Sequence, residues 1–500
     1  MRNSLSTSTL LTVTLLCMVT GAGAAWADAI LPTPIPQGSP APTFTGTPGK
    51  GKHVSASKVP RHPFMAPNGR SNIHGDAFMT DTYTTKGPSG TSMQVLSMYI
   101  TGGGVCGSLT FDNKGRIVTT CITTGQPFLE LLDPKTLDKL ASLPLPPRPM
   151  SSNPFQDFTG GGYFYLDNHN RAVLFTADHH ISIVAVTGTK AAPTFTKVQD
   201  WDLTSVIPDD DKATSLLPDW SGRIWFVTFN GIVGTLDPAS ATVQTLPLGE
   251  EIENSFAVDN TGGVFIVSNV AQYRFDADAT GAPSVTWRVV YQNSGIRKPG
   301  QVDAGSGTTP TLLGSNYVAI TDNADPMNVV VYQRSANVPG SRIVCEQPVF
   351  SAGAGCTENS LIGAGNALIV ENNYGYTGPT VVANGATTAP GIWRVDINAD
   401  GSGCSVAWQS DERAPSVVPK LSLSTGLIYT YTKDPETGGT PADPWYFTAI
   451  DFQTGVTRWK QLAGTGTYFN NNYAPVTLGS DGSAYVGVLG GLVKLKDGKK

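Results

Sequence analysis

Residues 216–228 read LLPDWSGRIWFVT: an apolar run, an aspartate, a polar turn closing on glycine, and a second run of β-branched and aromatic side chains. The same arrangement recurs as LTFDNKGRIVTTC at 109–121, FYLDNHNRAVLFT at 164–176 and FAVDNTGGVFIVS at 256–268. Looser copies are TLLGSNYVAIT at 311–321, LIGAGNALIVE at 361–371, LSLSTGLIYTY at 421–431 and VTLGSDGSAYVGV at 476–488. Turn residues between two β-prone runs specify a hairpin. A third strand follows, often ending in aspartate, as in ELLDPKTL, GTLDPAS, YRFDADATG, WRVDINADG and TAIDFQTG. An outer strand comes next, carrying Trp287, Trp408 or Trp459 in three units. Repeats of about 40–60 residues built only of strands specify propeller blades rather than helical solenoids.

Working outward, the eighth unit lacks an outer strand, because GLVKLKDGKK ends at Lys500. The strand-like Ser92–Ile100 (SMQVLSMYI) precedes the first full unit and has no blade of its own. The expected fold is therefore all-β: an eight-bladed β-propeller of four-stranded antiparallel blades, closed by this N-terminal strand joining the C-terminal blade. Closure removes exposed sheet edges. Composition agrees. The 500 residues include 55 Gly and 36 Pro with only 14% charged, which excludes a coiled coil or helical bundle, and 40% are hydrophobic, which excludes global disorder. A net charge of −6 argues against nucleic acid as a partner.

Ala449-Ile450-Asp451-Phe452-Gln453-Thr454-Gly455-Val456-Thr457-Arg458-Trp459 resembles the tryptophan-docking motif of the quinoprotein-like, PQQ-repeat-type eight-bladed propeller superfamily. The resemblance implies that the tryptophan packs between neighbouring blades. Asp276…Trp287 and Asp396…Trp408 are looser copies. The quinone dehydrogenases of that family hold pyrroloquinoline quinone in the central funnel beside a vicinal disulfide, a stacked Trp and a calcium site. This chain has no adjacent cysteines and no C-x-x-C-H haem sequence. The resemblance therefore implies the shell without PQQ, and it carries no catalytic residue across.

Residues 1–29 read as a secretory signal, with Arg2, the apolar run Thr9–Val19, and small-residue cleavage sites at Ala25-Trp26-Ala27 and Ala27-Asp28-Ala29. No later run is long enough to span a bilayer. The mature chain is thus expected to be soluble and secreted or periplasmic. Residues 30–75, rich in Pro, Gly, Ser and Thr, read as a flexible or extended leader, and 76–500 as the propeller. Five cysteines remain after cleavage. Cys106 and Cys121 flank the first hairpin with numbers that sum to those of its turn, so they should stand opposite and form a disulfide. Cys345 and Cys356 flank a Gly-rich loop and form the second expected pair, leaving Cys404 free.

Most catalytic signatures are absent or out of place. Ser55-x-x-Lys58 lies in the leader, and Gly102-x-Gly104-x-x-Gly107 opens a strand instead of a helix. His179 and His180 read as a solvated turn. Asp396, Asn398 and Asp400 before Gly401 match the start of a calcium loop, although the closing Glu of an EF-hand would fall at Ala407.

Propeller geometry selects a working face. Loops joining strands two and three share a face with those joining blades, and the long insertions (322–326, 372–390 and 433–444) fall there. Six blade-to-blade loops carry acid: Asp157; Asp209, Asp210 and Asp211; Glu250, Glu251 and Glu253; Asp303; Glu358; Asp411 and Glu412. Glu-Asn-Ser stands twice before an inner strand, at 253–255 and 358–360. The candidate ligand-binding residues are Glu253, Asn254, Asp303, Asp322, Glu358, Asn359, Glu371, Asn372, Asn471 and Tyr473. Carboxylates, amides and aromatics around one mouth suit a small polar or cationic ligand, a calcium ion or a protein partner. The alternative is a channel-mouth enzyme: a quinone- or metal-dependent oxidoreductase, a lyase or a hydrolase.

Overall fold

The computed structural model describes residues 32–498 except 124, 150–153 and 437–441. The expected signal segment lies outside the described residues, as does part of the 433–444 loop. Among the described residues no helix is long and apolar enough to cross a membrane.

Eight sheets form eight blades, seven with four strands and one with six. The inner strands of blades 1 to 8 are Val105–Phe111, Phe164–Leu166, Ala213–Pro218, Ala257–Val258, Thr311–Leu313, Ile362–Ala364, Lys420–Ser422 and Val476–Leu478. Inner and second strands are buried on both faces, since each blade is sandwiched between two others. Outer strands alternate, as in Cys404–Ser410. The closing strand is Gln94–Tyr99, antiparallel to Gly491–Lys496 at the rim of blade 8, as expected.

The repeated aspartate builds the turn between the first two strands. Asp112 Oδ1 accepts from the backbone N–H of Lys114 and Arg116, both at 2.9 Å, and Asp219 Oδ1 repeats this with Ser221 and Arg223 at 2.8 and 3.1 Å. Gly222 then takes φ 94°, which a side chain disfavours. Two of the outer-strand tryptophans dock against the next blade. Trp408 of blade 6 donates to Phe452 O of blade 7 at 2.9 Å. A Cβ on Gly455 would sit 2.6 Å from that indole. Trp287 of blade 4 meets Tyr332 of blade 5 at 6.3 Å between ring centroids.

Cys106 and Cys121 are bonded, as expected. Their opposition arises differently from the sequence argument. Near the turn the ladder pairs Phe111 with Ile117, one residue out of the expected register, and a bulge at Gly107 restores it at Cys106 and Cys121. The second expected pair is corrected. Cys345 bonds Cys404, with Cα atoms 5.8 Å apart, and Cys356 is the free, buried thiol. Cys345 and Cys404 stand on the outer strands of adjacent blades, a proximity that only the closed ring creates. Cys356 lies deeper, its thiol 3.3 Å from Pro299 O.

The largest difference concerns the expected leader. It is extended, but docked along the ring. Phe44–Gly46 adds a strand to the rim of blade 7, opposite Trp459–Gln461. From Met65 onward the chain enters the channel. Ser71 O accepts from Leu166 N, Ala77 O from Val258 N, Phe78 O from Leu312 N, Thr80 O from Gly363 N and Asp81 O from Leu421 N, all at 2.7–3.0 Å. Thr82–Tyr83 pairs parallel to the inner strand of blade 7. Residues 65–83 thus plug the channel by satisfying the inward N–H groups of blades 2, 4, 5, 6 and 7. Backbone pairing needs no apolar periodicity, which is why the segment reads as a linker.

Candidate functional site

The plug meets the inner strands near their C-terminal ends, beside the short turns. The channel is left as a cavity of about 410 Å³ toward the long-loop face, walled by blades 8, 1 and 2 on one side and by the Glu358-Asn359-Ser360 approach to blade 6 on the other. Tyr163, Phe158 and Tyr473 line it together with Asn254, Arg148 and His74.

The structure divides the expected acids. Much of the ring is already paired: Asp157 with Lys212 at 2.9 Å, Glu250 with Arg288 at 2.8 Å and Glu412 with Lys460 at 2.6 Å. Glu253, Asp303 and Glu358 are the acids that gather over the channel, all buried. Glu253 and Glu358 are in hydrogen-bonding contact. Glu253 Oε2 and both Glu358 oxygens have no well-formed donor. Two carboxyls in contact must share a proton. Burial, with Glu358 beside it, raises Glu253 well above the carboxylate range. Burial pushes Glu358 and Asp303 up to about 8. The pair has room because Gly307 has no side chain: a Cβ there would lie 2.6 Å from Glu358 Oε1.

Asn254 accepts from the Tyr163 hydroxyl at 2.9 Å and keeps Nδ2 unpartnered, while Asn359 donates to Val417 O at 2.6 Å and keeps Oδ1 unpartnered. Glu371 lies behind this wall. It accepts from Thr430 Oγ1 at 2.6 Å and from Asn359 Nδ2 at 3.3 Å. Burial raises it to about 8, against these bonds and Lys420. Asn254, Glu358, Asn359 and Tyr473 line the cavity, whereas Asp322, Asn372 and Asn471 are not brought to it and brace loops instead. Asp322 accepts from the backbone of Ala324 and Asn328. Asn372 donates to Ala354 O and Pro390 O. Asn471 donates to Ala474 O.

The candidate calcium loop forms a turn held by its own hydrogen bonds. Both Asp396 oxygens are held by Arg394, Asn398 Nδ2 donates to Ser402 Oγ, and Asp400 accepts from Ser402 N. Arg394 occupies the oxygens a cation would need. Among the described residues no three His, Cys, Asp or Glu side chains are placed to hold a metal ion. His179 and His180 are likewise structural, on Asp211 O and Asp200 at 3.0 Å.

The sequence reading missed the residues that the plug delivers. His74 Nδ1 lies 3.0 and 3.2 Å from the two oxygens of Asp81. Asp81, fully buried, also receives the Ser360 hydroxyl at 2.5 Å and the Lys420 ammonium. Burial pushes Asp81 upward, but Lys420 and His74 outweigh it and hold the carboxylate below its usual range. Asp76 is pushed up to about 7 by burial. His74 Nε2 has no hydrogen-bond partner, and the residue forms part of the cavity wall. One signal was present: NIHGDAFMTD (72–81) mixes titratable groups with Phe78 and Met79, bulky apolar residues that a free linker does not need.

No protein-family model matches the chain. A protein of Archaeoglobus fulgidus described as uncharacterized is 28% identical over 309 residues, which cover 55% of this chain and 59% of that protein; the chain thus spans less than two thirds of that relative. Among solved structures, the chain is similar to BamB from Moraxella catarrhalis, with a TM-score of 0.44 and 12% identity over 81% of this chain and 98% of that one. It is also similar to a streptogramin B lyase structure, with a TM-score of 0.39 and 12% identity over 81% of this chain and 97% of that one.

Proposed function

We propose that the protein is an exported propeller that binds a small polar ligand, bearing hydroxyl or ammonium groups, in the plugged mouth of its channel. One observation carries the reading. Residues that carry unpartnered buried polar atoms (Asn359 Oδ1, His74 Nε2 and Asn254 Nδ2) line a single cavity of about 410 Å³ together with Glu358 of the buried Glu253–Glu358 pair. Buried polar groups are normally satisfied, so such a set marks places where a ligand's groups complete the bonding. Asn359 offers an acceptor and Asn254 a donor, which suits a ligand that carries hydroxyl groups. The aromatic wall of Tyr163, Phe158 and Tyr473 supplies the apolar surface on which a sugar-like ring or alkyl chain packs. Two disulfides support export, since such bonds persist in oxidising compartments.

The test is a thermal-shift screen of the purified chain with xylitol, glucose, glucosamine and putrescine, repeated on Asn359→Ala. A binder raises the melting temperature of the wild type and loses its effect in Asn359→Ala. Flat responses to all four compounds, with no small molecule released on denaturing the protein purified from its host, overturn the reading.

A further inference from the structure

We propose that the occupant of the cavity is an anion: a single carboxylate on a hydroxylated ring, of the sugar-acid class, drawn by the charge of Arg148 in the wall. The proposal rests on the ligand-binding reading above and narrows it to one charge type.

The argument begins with the charge balance. The loop acids point to a cation, yet the structure leaves no unbalanced negative charge on the cavity. Two acids line it, Asp157 and Glu358. Asp157 is paired with Lys212 Nζ at 2.9 Å and accepts from Thr159 N and Oγ1 at 3.1 and 2.6 Å. Glu358 is in contact with Glu253, and burial keeps its proton on at neutral pH. Behind the wall, Asp81 is bonded to the Lys420 ammonium.

The bases do not cancel in the same way. Arg148 is half-buried and lines the cavity. Its backbone N–H donates to Gly125 O at 2.9 Å, which holds the residue against blade 1. Among the described residues its one guanidinium hydrogen bond runs from Nη1 to the backbone carbonyl of Asp157 at 2.6 Å. The nearest carboxylate is that of Asp157, already engaged by Lys212, so two cations face one anion. Burial pushes Arg148 down to about 10, with Asp157 opposing, and the guanidinium stays charged at neutral pH. A partly desolvated cation without its own counter-ion is costly, and an anionic ligand relieves that cost through the field of the charge.

The surroundings narrow the anion. One surplus positive charge matches one carboxylate. A phosphate ester carries close to two negative charges, and the second would be unbalanced in a cavity whose lining is mostly apolar. The ring is indicated by the mouth. Phe155 and Tyr468, 42% and 40% exposed, both line the cavity and present aromatic surface to anything that enters. Tyr468 is backed edge-on by Tyr99 at 5.7 Å between ring centroids, and Asn472 Nδ2 donates to Phe155 O at 3.1 Å, so both are held in place. Beside Tyr468 the floor is bare: Gly102 and Gly103 line the cavity at φ 87° and 85°. The apolar face of a sugar ring packs on such aromatics while its hydroxyls stay free for polar partners.

The experiment measures dissociation constants by titration calorimetry on the full chain at pH 7, with D-glucuronate, D-glucuronamide, D-glucosamine and glucose 6-phosphate. Wild type should bind glucuronate about tenfold tighter than its neutral amide, the worth of one charged interaction, and glucosamine weakest. Arg148→Gln should erase the preference for glucuronate over the amide while leaving the amide's own affinity unchanged, and Arg148→Lys should keep the preference. Tyr468→Ala should weaken glucuronate and the amide by the same factor. Equal binding of glucuronate and the amide by wild type, tighter binding of glucosamine, or a preference that survives Arg148→Gln overturns the proposal and leaves the ligand-binding reading intact. Tighter binding of glucose 6-phosphate overturns the carboxylate. No binding of any of the four overturns the proposal, and the reading beneath it falls as well if the thermal-shift screen is flat. Should Arg148→Gln fail to fold, the wild-type comparison decides by itself.

Discussion

Replacing Glu358 by glutamine probes the electrostatics of the site through stability, independently of any ligand. Burial pushes the Glu358 carboxyl from 4.5 up to about 8, Asp303 adding to the effect and contact with Glu253 opposing it. Between those values the folded protein holds a proton that the unfolded chain has released. Stability from this group is therefore complete below about pH 4.5 and is lost as pH rises through 8. At about 1.4 kcal/mol per pH unit for one proton, the full span sets a ceiling on the order of 5 kcal/mol. Relaxation and water entry on ionisation lower this, so about 2–4 kcal/mol is the expected loss between pH 5 and pH 8. Glutamine keeps the shape and has no proton to release. Urea unfolding of both proteins at pH 5, 6, 7 and 8 isolates the difference, because Asp303 titrates in both. Relative to wild type, Glu358→Gln should gain about 2–4 kcal/mol between pH 5 and pH 8. Glu253, freed of its partner in the variant, moves toward the ordinary range and adds to the gain. Parallel stability curves, or a wild type more stable at pH 8 than at pH 5, would refute the buried, protonated pair.

Lys420→Met strands the Asp81 carboxylate with both former partners unexposed; a loss of about 3–5 kcal/mol in urea unfolding is expected, and a loss under 1 kcal/mol would mean the pair is hydrated. Peptide mapping without reduction should link Cys345 to Cys404, with Cys356 alkylated only after denaturation. Removing that disulfide, which closes a separation of 59 residues, should lower stability by roughly 4 kcal/mol on the loop-entropy estimate. Trp459→Ala, at a fully buried indole, should cost about 3–5 kcal/mol, read as a fall in urea midpoint at unchanged slope.

How much of this was legible in the sequence depends on what each feature needs. The blades were legible because a hairpin is local: Asp219, Gly222 and the runs around them suffice. The closing strand was legible because the eighth unit lacked a rim. The Cys345–Cys404 bond was not, since it depends on two outer strands 59 residues apart lying side by side in the ring. The site was half legible. Asn254, Glu358, Asn359 and Tyr473, which line the cavity, were marked by the repeated Glu-Asn-Ser and by their loop positions. Asp322, Asn372 and Asn471 share those positions yet cap their own loops, a distinction set by backbone geometry rather than residue type. His74 and Asp81 were hidden because nothing in a linker-like composition announces that its carbonyls match the inward N–H groups of five blades.

That match explains why the chemistry sits on the plug. Eight inner strands cannot close on one another, so their inward N–H groups need acceptors from elsewhere. Residues 65–83 supply them through the main chain, as Ser71, Ala77, Phe78, Thr80 and Asp81 do for blades 2, 4, 5, 6 and 7. Once the backbone holds the segment, its side chains are released from the task of packing, and polar groups can be carried into the channel without loss of the fold. A buried Asp81–Lys420 pair is a poor device for stability alone, because desolvating both ions offsets most of their attraction and an apolar pair of similar volume would serve as well. What the apolar pair could not do is hold an ionised oxygen at 3.0 Å from His74 Nδ1. The distinctive effect of the pair is therefore on the imidazole, whose residue forms part of the cavity wall.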